Sequence, residues 1–408
     1  MNGTQTKSGR CWAVVGFFTL FMALMTYNLI IYPACAVTAM TVFGIGQTEL
    51  TTLTSVTSLV GVFCGLIFGK MLDTKDVRKS ILTFLAVGTA LFFVRAFVLN
   101  YTATLVLTFL ASFCVGICQV AAPKVIATWF PPEKIGFASS FFVAGSGLGS
   151  AGGFALGGAL GIENALLSIG ILHLALLAYW LLIGGEGPFK QAAPAAGEKA
   201  PKDAAKASGV FKSRNLWLII IAYSMAMTAS MTLNSYLINS FISKGLDPAK
   251  ASLMGTVLNV CLCAGGFIMT ALLGVVKKFN PLMSAAMIGG GAMVLLAWFT
   301  PIGGLTWVFV ALGGLFFGGS LGLCIGRIPL VPLTGDFGPA LIGQASGFSE
   351  TVKGLISFVL PILVANVFGT NFNGIFIVFG VCCALAFITG GLLIPELGEK
   401  GKLFRAQK

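Results

Sequence analysis

Long apolar segments separated by short polar loops run through the whole chain and predict transmembrane helices. Each segment is close to the length, about 20 residues, that crosses a hydrocarbon core of about 30 Å as a helix. The twelve segments are 11–33, 48–69, 80–99, 102–124, 135–160, 165–184, 215–240, 250–273, 281–300, 304–326, 340–365 and 372–394. The pattern therefore predicts an all-α polytopic membrane protein with twelve transmembrane helices.

Two charged residues, Glu350 and Lys353, interrupt the eleventh segment near its middle. A charge at that depth costs about 2.5–3.5 kcal/mol on insertion scales, so it is expected to face partners or water. At helical spacing both residues belong to one small, polar stripe, with apolar residues such as Leu355 and Val359 behind it. The other members of the stripe are Gly343, Ser346, Gly347, Gly354 and Ser357. The stripe predicts a helix that lines a polar site.

The spacing of Glu350 and Lys353 allows two interpretations of this site. In the first, Lys353 faces a cavity and binds a carboxylate, while Glu350 tunes it or carries a proton. In the second, the two residues lie one helical turn apart and neutralise each other as an intrahelical ion pair. The residues alone leave both interpretations open.

Composition and charge support a membrane protein and exclude a nucleic-acid partner. Hydrophobic residues make up 57% of the chain and charged residues only 9%, which is outside the range of soluble proteins. The net charge of +12 is the excess of 25 Lys and Arg over 13 Asp and Glu. The Lys and Arg residues lie mostly in loops and tails on one side. Lys244 and Lys250 fall on the other side. This positive-inside bias predicts that both termini are cytoplasmic and that the protein spans the cytoplasmic membrane.

A change in composition divides the chain into two halves. Residues 185–214 are rich in Ala, Pro, Gly and Lys, which predicts a flexible cytoplasmic linker between a six-helix bundle at 1–184 and another at 215–408. The halves also repeat. Gly136-Phe137-Ala138-Ser139 matches Gly343-Gln344-Ala345-Ser346, and Trp12 to Asn28 echoes Trp217 to Asn234. A duplicated six-helix unit explains these matches, and parallel repeats with a central site are typical of transporters.

Four glycines recur at four-residue spacing in the fifth segment: Gly145, Gly149, Gly153 and Gly157. Such a row lets a neighbouring helix approach closely in a membrane. The row predicts close helix packing rather than chemistry.

The loop after the second segment resembles the signature of the major facilitator superfamily, roughly Gly-x-x-x-Asp-(Arg/Lys)-x-Gly-(Arg/Lys)-(Arg/Lys). Gly69, Asp73, Arg78 and Lys79 match this signature, whereas Asp76 stands where the superfamily usually has glycine. The resemblance implies the major facilitator fold, in which these four residues act at a cytoplasmic gate.

A second resemblance concerns one group within this superfamily. Gly347-Phe348 followed by Lys353, and Trp129-Phe130-Pro131 followed by Lys134, Gly136 and Ala138-Ser139, are similar to the oxalate/formate antiporter group. That resemblance implies that Lys353 helps to bind a carboxylate substrate. Thr270 falls near the place where the dicarboxylate exchanger of the group has an arginine. The charge count therefore favours a monocarboxylate, or a neutral or zwitterionic solute that meets both Glu350 and Lys353.

Polar residues in other helices complete the predicted site. The candidate hydrogen-bonding groups for the substrate, chosen by helix position, are Asn28, Tyr32, Asn234 and Tyr236.

Two basic residues near the predicted inner ends of their helices, Lys124 and Arg327, are candidates for a basic inner mouth that attracts anions. Interfacial anchoring is the alternative role for both. Arg95 lies close enough to a helix end to extend to the membrane surface. His173 is expected to be a satisfied interior histidine.

These features predict a secondary transporter that moves a small organic anion by alternating access, either as an antiporter or as a proton symporter. The alternatives are a carrier of a neutral or zwitterionic solute with Glu350–Lys353 as a structural or coupling ion pair, and a non-transporting membrane sensor. An enzyme is not expected, because one His and one central Glu supply neither a metal site nor a catalytic triad. We expect no cofactor or metal, no ATP-binding loop and a monomer in the lipid bilayer, with protons or a counter-anion as the coupling partner.

Overall fold

The computed structural model describes residues 5–130, 132–185, 187, 207–337 and 342–397. Secondary structure within these residues is helical and includes no β-strand. The chain divides into two compact units, Met1–Ala196 and Gly197–Lys408. The all-α fold class predicted from the sequence is confirmed for these residues.

The described part of the N-terminal unit contains helices α1 to α7. Their bounds are α1 Gln5–Ala34, α2 Ala36–Phe43, α3 Gln47–Thr74, α4 Val77–Phe97, α5 Tyr101–Val115, α6 Ile117–Trp129 and α7 Pro132–Ile183. The first helix packs most extensively against α7, and α4 packs against α5 and α7. A core of apolar side chains from all these helices, including Phe18, Phe92 and Trp180, fills the unit.

The described part of the C-terminal unit contains helices α8 to α16. Their bounds are α8 Ala207–Lys212, α9 Arg214–Ser243, α10 Pro248–Val276, α11 Phe279–Ser284, α12 Gly290–Phe299, α13 Gly304–Phe317, α14 Ser320–Arg327, α15 Ile342–Phe368 and α16 Phe372–Phe387. Two π-helical segments, Ala285–Gly289 and Ile388–Leu393, and the 3-10 segment Ile328–Thr334 interrupt or extend these helices. Helix α9 packs against α10, α14, α15 and α16 and is the centre of the unit.

Ten helices within the described residues are long and apolar enough to cross a membrane. They correspond to all the predicted segments except the second and the fifth, which are α3 and the first part of α7. The boundary between the fifth and sixth segments lies at Gly161, where φ is 71° and ψ is 168°. Glycine adopts a positive φ without a steric penalty, so the chain turns there although α7 is continuous on either side.

The glycine row of α7 brings this helix against the backbone of α1. A Cβ atom on Gly149 would lie 2.0 Å from the carbonyl oxygen of Ala23, and one on Gly145 would lie 2.2 Å from that of Thr19. Real Cβ contacts are never this short, so only glycine permits the observed approach. The close packing predicted from the four-residue spacing is confirmed.

The end of the predicted linker belongs to the C-terminal unit, whereas residues 188–206 lie outside the described part of the chain. Helix α8 follows at Ala207–Lys212, and Ser213 then caps α9 by accepting a hydrogen bond from the backbone N–H of Leu216 at 3.1 Å. The Ser213 hydroxyl also donates to Oδ2 of Asp336 at 2.5 Å. The domain boundaries 1–184, 185–214 and 215–408 stay a prediction.

Candidate functional site

Glu350 and Lys353 form an ion pair on α15, one helical turn apart. Tyr223 of α9 joins them: its hydroxyl donates to Oε1 of Glu350 at 2.9 Å and accepts from Nζ of Lys353 at 3.3 Å. The ammonium group also lies 4.9 Å from the centre of the Tyr223 ring. Lys353 is thus held by a carboxylate, a phenol oxygen and an aromatic face, which we call the Lys353 cluster.

Glu350 and Lys353 lie on a different face of α15 from its exposed apolar residues. The exposed apolar residues of this helix recur every four positions, at Leu355, Val359, Leu363 and Val367. Glu350 precedes Leu355 by five residues, which is roughly 140° around a helix of 3.6 residues per turn. The side chain of Glu350 is 43% exposed and that of Lys353 16%, so the pair opens on a face distinct from the apolar one.

Tyr223 is a site residue that the sequence reasoning did not identify. It is one of only six tyrosines in the chain and directly follows an apolar run of α9, residues 216–222. It also precedes Asn234 by eleven residues, close to three helical turns, so the two lie on nearly the same face. The sequence could have indicated Tyr223 through this spacing from Asn234, which was already a candidate. Tyr223 contacts Glu350 because α9 packs against α15.

Asn234 and Tyr236, the other candidates on α9, take part in packing within the C-terminal unit. The Asn234 side chain donates to the carbonyl oxygen of Ser230 at 2.9 Å and accepts from the amide of Asn259 on α10 at 3.0 Å. Tyr236 is 1% exposed and packs in an apolar cluster with Val364 and others. The structure does not bring either residue to the Lys353 cluster through a described hydrogen bond.

Asn28 and Tyr32 of α1 converge on Arg95 of α4. Nη1 of Arg95 donates to Oδ1 of Asn28 at 2.7 Å, to Oγ1 of Thr108 at 3.1 Å and to the hydroxyl of Tyr32 at 3.3 Å. The hydroxyls of Tyr32 and Thr108 lie 2.8 Å apart, and the Asn28 amide donates to Oγ of Ser112 at 3.2 Å. We call these residues the Arg95 cluster.

The expectation that Arg95 extends to the membrane surface is wrong. Arg95 is fully buried, at 0% exposure, because the neutral acceptors of α1 and α5 draw its guanidinium into the unit. Its Cζ atom lies 4.7 Å from the ring centre of Phe92. That ring also packs against His173 at 4.5 Å. Nδ1 of His173 contacts the carbonyl oxygen of Ile169 at 2.9 Å. Its Nε2 is buried without a hydrogen-bond partner among the described residues, so the expectation of a satisfied interior histidine holds for one ring nitrogen only.

The two candidates for a basic inner mouth lie in different environments. Lys124 on α6 is exposed, and its Nζ atom donates to the carbonyl oxygen of Leu72 at 2.7 Å. Arg327 on α14 is 1% exposed; it donates to the carbonyl oxygen of Gly390 and, at 3.0 Å, to Oδ1 of Asn280. These bonds tie helices together, so the structure places Arg327 inside the C-terminal unit rather than at an open mouth.

The segment that resembles the superfamily signature runs from the end of α3 to the start of α4. Asp76, which replaces the usual glycine, caps this helix: Oδ1 accepts the backbone N–H of Lys79 at 2.8 Å. The Arg78 guanidinium donates to the carbonyl oxygen of Leu181 at 3.0 Å, and the Trp180 indole donates to the carbonyl oxygen of Arg78 at 3.2 Å. The loop is thereby attached to the end of α7.

Several predicted site residues lie where the structure does not describe the side chain or its surroundings. The side chains of Asp73, Thr270 and Ser346, and the surroundings of Gly69 and Gly343, lie outside the part of the chain that the structure describes. Their proposed roles stay predictions.

Apolar helices of membrane-spanning length, with polar clusters enclosed between them in each unit, define a multi-pass membrane protein. The profile of the Major Facilitator Superfamily matches residues 15–361, which is most of the chain, and the protein therefore belongs to this superfamily. It is a secondary transporter that binds a small-molecule substrate. No curated protein matches the chain in sequence.

Solved transporters share the fold over nearly the whole chain. A bacterial homologue of the human lysosomal transporter Spinster is 13% identical with a TM-score of 0.73, covering 95% of this chain and 96% of that one. A D-xylose–proton symporter is 15% identical with a TM-score of 0.70, covering 96% and 99%. A variant of the Escherichia coli fucose–proton symporter FucP is 18% identical with a TM-score of 0.64, covering 93% and 97%. At these identities the similarity shows the fold alone.

Proposed function

We propose that the protein carries a small organic anion, of the monocarboxylate type, across the cytoplasmic membrane by alternating access. The observation that carries this proposal is the Lys353 cluster, in which a mid-helix cation opens away from the lipid-exposed side of α15. The resemblance of this segment to the oxalate/formate antiporter group supports the same assignment. The positive-inside pattern supports cytoplasmic termini, and one chain with two six-helix units suffices as a monomer.

The ion pair suggests how substrate binding is coupled to a proton. While Glu350 is ionised it neutralises Lys353, and a substrate carboxylate must compete with it. When Glu350 takes a proton, the cluster gains one positive charge and Lys353 is released to bind the substrate anion. The phenol of Tyr223 keeps contact with both side chains and holds them in place. Proton and anion therefore favour each other's binding, which is the thermodynamic requirement for symport.

Exchange of two anions is the other mode of coupling that this site permits. An outgoing anion and an incoming anion would then take turns on Lys353, with Glu350 occupying it in between. Two of the similar structures belong to proton symporters. We therefore favour proton symport over anion exchange.

A neutral or zwitterionic solute is the second candidate substrate, favoured by the ion pair itself. An intact pair has no net charge and offers one anionic and one cationic group at once, which suits a zwitterion. In that case Glu350 and Lys353 would stay paired throughout, and removing either charge would weaken binding equally.

Thermal stabilisation of the purified protein tests which substrate class binds. A ligand that binds the native state raises Tm by mass action, without any assumption about coupling. We expect a small carboxylate to raise the Tm of the wild type and to raise that of Lys353→Gln much less. The matched control is Lys250→Gln, which changes an exposed lysine in the first turn of α10. This variant should respond like the wild type.

A rise in Tm with zwitterions but not with carboxylates would contradict the anion proposal and support the second candidate. A carboxylate response as large in Lys353→Gln as in the wild type would remove Lys353 from the substrate site.

A further inference from the structure

The guanidinium of Arg95 uses only one of its two hydrogen-bonding edges. Its three described partners, Asn28, Tyr32 and Thr108, all accept from Nη1. Nε and Nη2 are buried and have no hydrogen-bond partner among the described residues. These two nitrogens form the edge of the guanidinium that presents two parallel N–H groups, the geometry that matches the two oxygens of a carboxylate.

The charge of Arg95 is also uncompensated within the described part of the chain. Its partners there are an amide and two hydroxyls, which accept hydrogen bonds but supply no negative charge. The ion pair found among the described residues of α15, Glu350 with Lys353, lies in the other unit. A fully buried cation without a counter-ion is costly, and a bound anion would offset that cost.

We propose that the Nε–Nη2 edge of Arg95 is a binding site for a small planar oxyanion in the N-terminal unit, separate from Lys353. The oxyanion would receive two parallel hydrogen bonds from Arg95, while Nη1 remains fixed by Asn28, Tyr32 and Thr108. The ligand class is a carboxylate as small as formate, or an inorganic ion of the same shape such as nitrate.

Burial of the site limits the affinity that it can have. Arg95 is 0% exposed, so an anion reaches the guanidinium only in conformations in which the surrounding helices part. The apparent affinity is reduced by the fraction of time spent in those conformations. The site is therefore a modest-affinity one, and it is best probed with high concentrations of small anions.

A near-isosteric substitution tests the proposal without removing Arg95. Asn28→Asp keeps the oxygen that accepts from Arg95 and supplies a carboxylate that neutralises it, and its second oxygen can accept the Ser112 hydroxyl. The full-length protein carrying Lys353→Gln is used as the parent, so that the Lys353 cluster cannot respond. Formate and nitrate are added in turn, and Tm is measured.

At about ten times the dissociation constant we expect either anion to raise the Tm of the parent by about 2 °C. Adding Asn28→Asp should abolish this rise, since the counter-charge is then part of the protein. Asn164→Asp, which introduces the same change at an exposed position of α7, should leave the rise intact. Arg95→Lys keeps the charge but lacks the paired N–H edge, so its rise should be less than half that of the parent.

The possible results separate this proposal from the proposed function. Stabilisation of the parent by formate alone would identify a carboxylate site, and stabilisation by both anions a general site for planar oxyanions; either supports the proposal if Asn28→Asp removes it. No stabilisation of the parent, or stabilisation that survives Asn28→Asp, would overturn it. The role of Lys353 is decided separately, by comparing the wild type with Lys353→Gln.

Discussion

Lys353 and Arg95 are both cations enclosed between helices, but the two units accommodate them differently. In the C-terminal unit a carboxylate, Glu350, lies against Lys353 and cancels its charge. In the N-terminal unit Arg95 is held by Asn28, Tyr32 and Thr108, which satisfy hydrogen bonds and leave the charge in place. The two units thus differ in the electrostatics of their enclosed cations.

This difference assigns different capacities to the two clusters. In the proposed coupling, a proton on Glu350 changes the state of Lys353, whereas Arg95 is charged at any physiological pH and has no carboxylate among its described partners. The Lys353 cluster is suited to switching during a transport cycle. The Arg95 cluster is suited to holding a constant positive potential in its unit.

The two units also differ in how their helices approach one another. In the N-terminal unit the glycine row of α7 contacts the backbone of α1. The positions 207 residues later in α15 carry Val352, Ile356, Leu360 and Val364 instead. Close glycine contacts in the C-terminal unit occur between α10 and α13, where a Cβ on Gly265 would lie 2.1 Å from the carbonyl oxygen of Leu315. The two units therefore use different helix pairs for their closest glycine contacts.

The largest effect is expected from Gly149→Ala, which places a methyl group in the close contact between α7 and α1. The new methyl group would meet the carbonyl oxygen of Ala23 at 2.0 Å, and backbone cannot move aside as a flexible side chain can. We expect a loss of about 3 kcal/mol in the free energy of unfolding, measured as a fall in the Tm of the purified protein.

Gly152 provides the control for that change within the same helix. A Cβ at this position meets nothing within 4 Å, so Gly152→Ala should be neutral or should stabilise α7 by about 0.5–1 kcal/mol through helix propensity. Equal losses in the two variants would contradict the role assigned to the glycine row.

A smaller effect is expected from Tyr223→Phe, which tests how much the hydrogen bond from Tyr223 to the charged Glu350 stabilises the C-terminal unit. The substitution removes the hydrogen bond to the Glu350 carboxylate, and bonds to charged groups contribute more than neutral ones. We expect a loss of about 1.5 kcal/mol in stability. Tyr179→Phe removes a bond to the neutral carbonyl oxygen of Ala13 in the other unit and should cost about 0.5 kcal/mol. The reverse order would show that the charge of Glu350 adds nothing to the Tyr223 contact.

The fold was predictable because membrane-spanning segments and glycine rows are local patterns. The pairing of Glu350 with Lys353 was foreseen as one of two interpretations, since a spacing of three residues places them on one helix face. Tyr223 was not foreseen, because its contact with Glu350 joins residues 127 positions apart and depends on which helices pack together. Arg95 was misjudged for a related reason: α4 is apolar around its whole circumference, so its pattern does not indicate which way the guanidinium points.

Transport by Glu350→Gln in proteoliposomes tests the central claim most directly, with Glu163→Gln at an exposed position as the matched control. The account predicts that Glu350→Gln loses uptake driven by a pH gradient, because no proton can be bound and released at this position. The same variant should retain counterflow exchange of the solute, because Lys353 stays available. Unchanged pH-driven uptake in Glu350→Gln would contradict the proposal that this ion pair couples protons to transport.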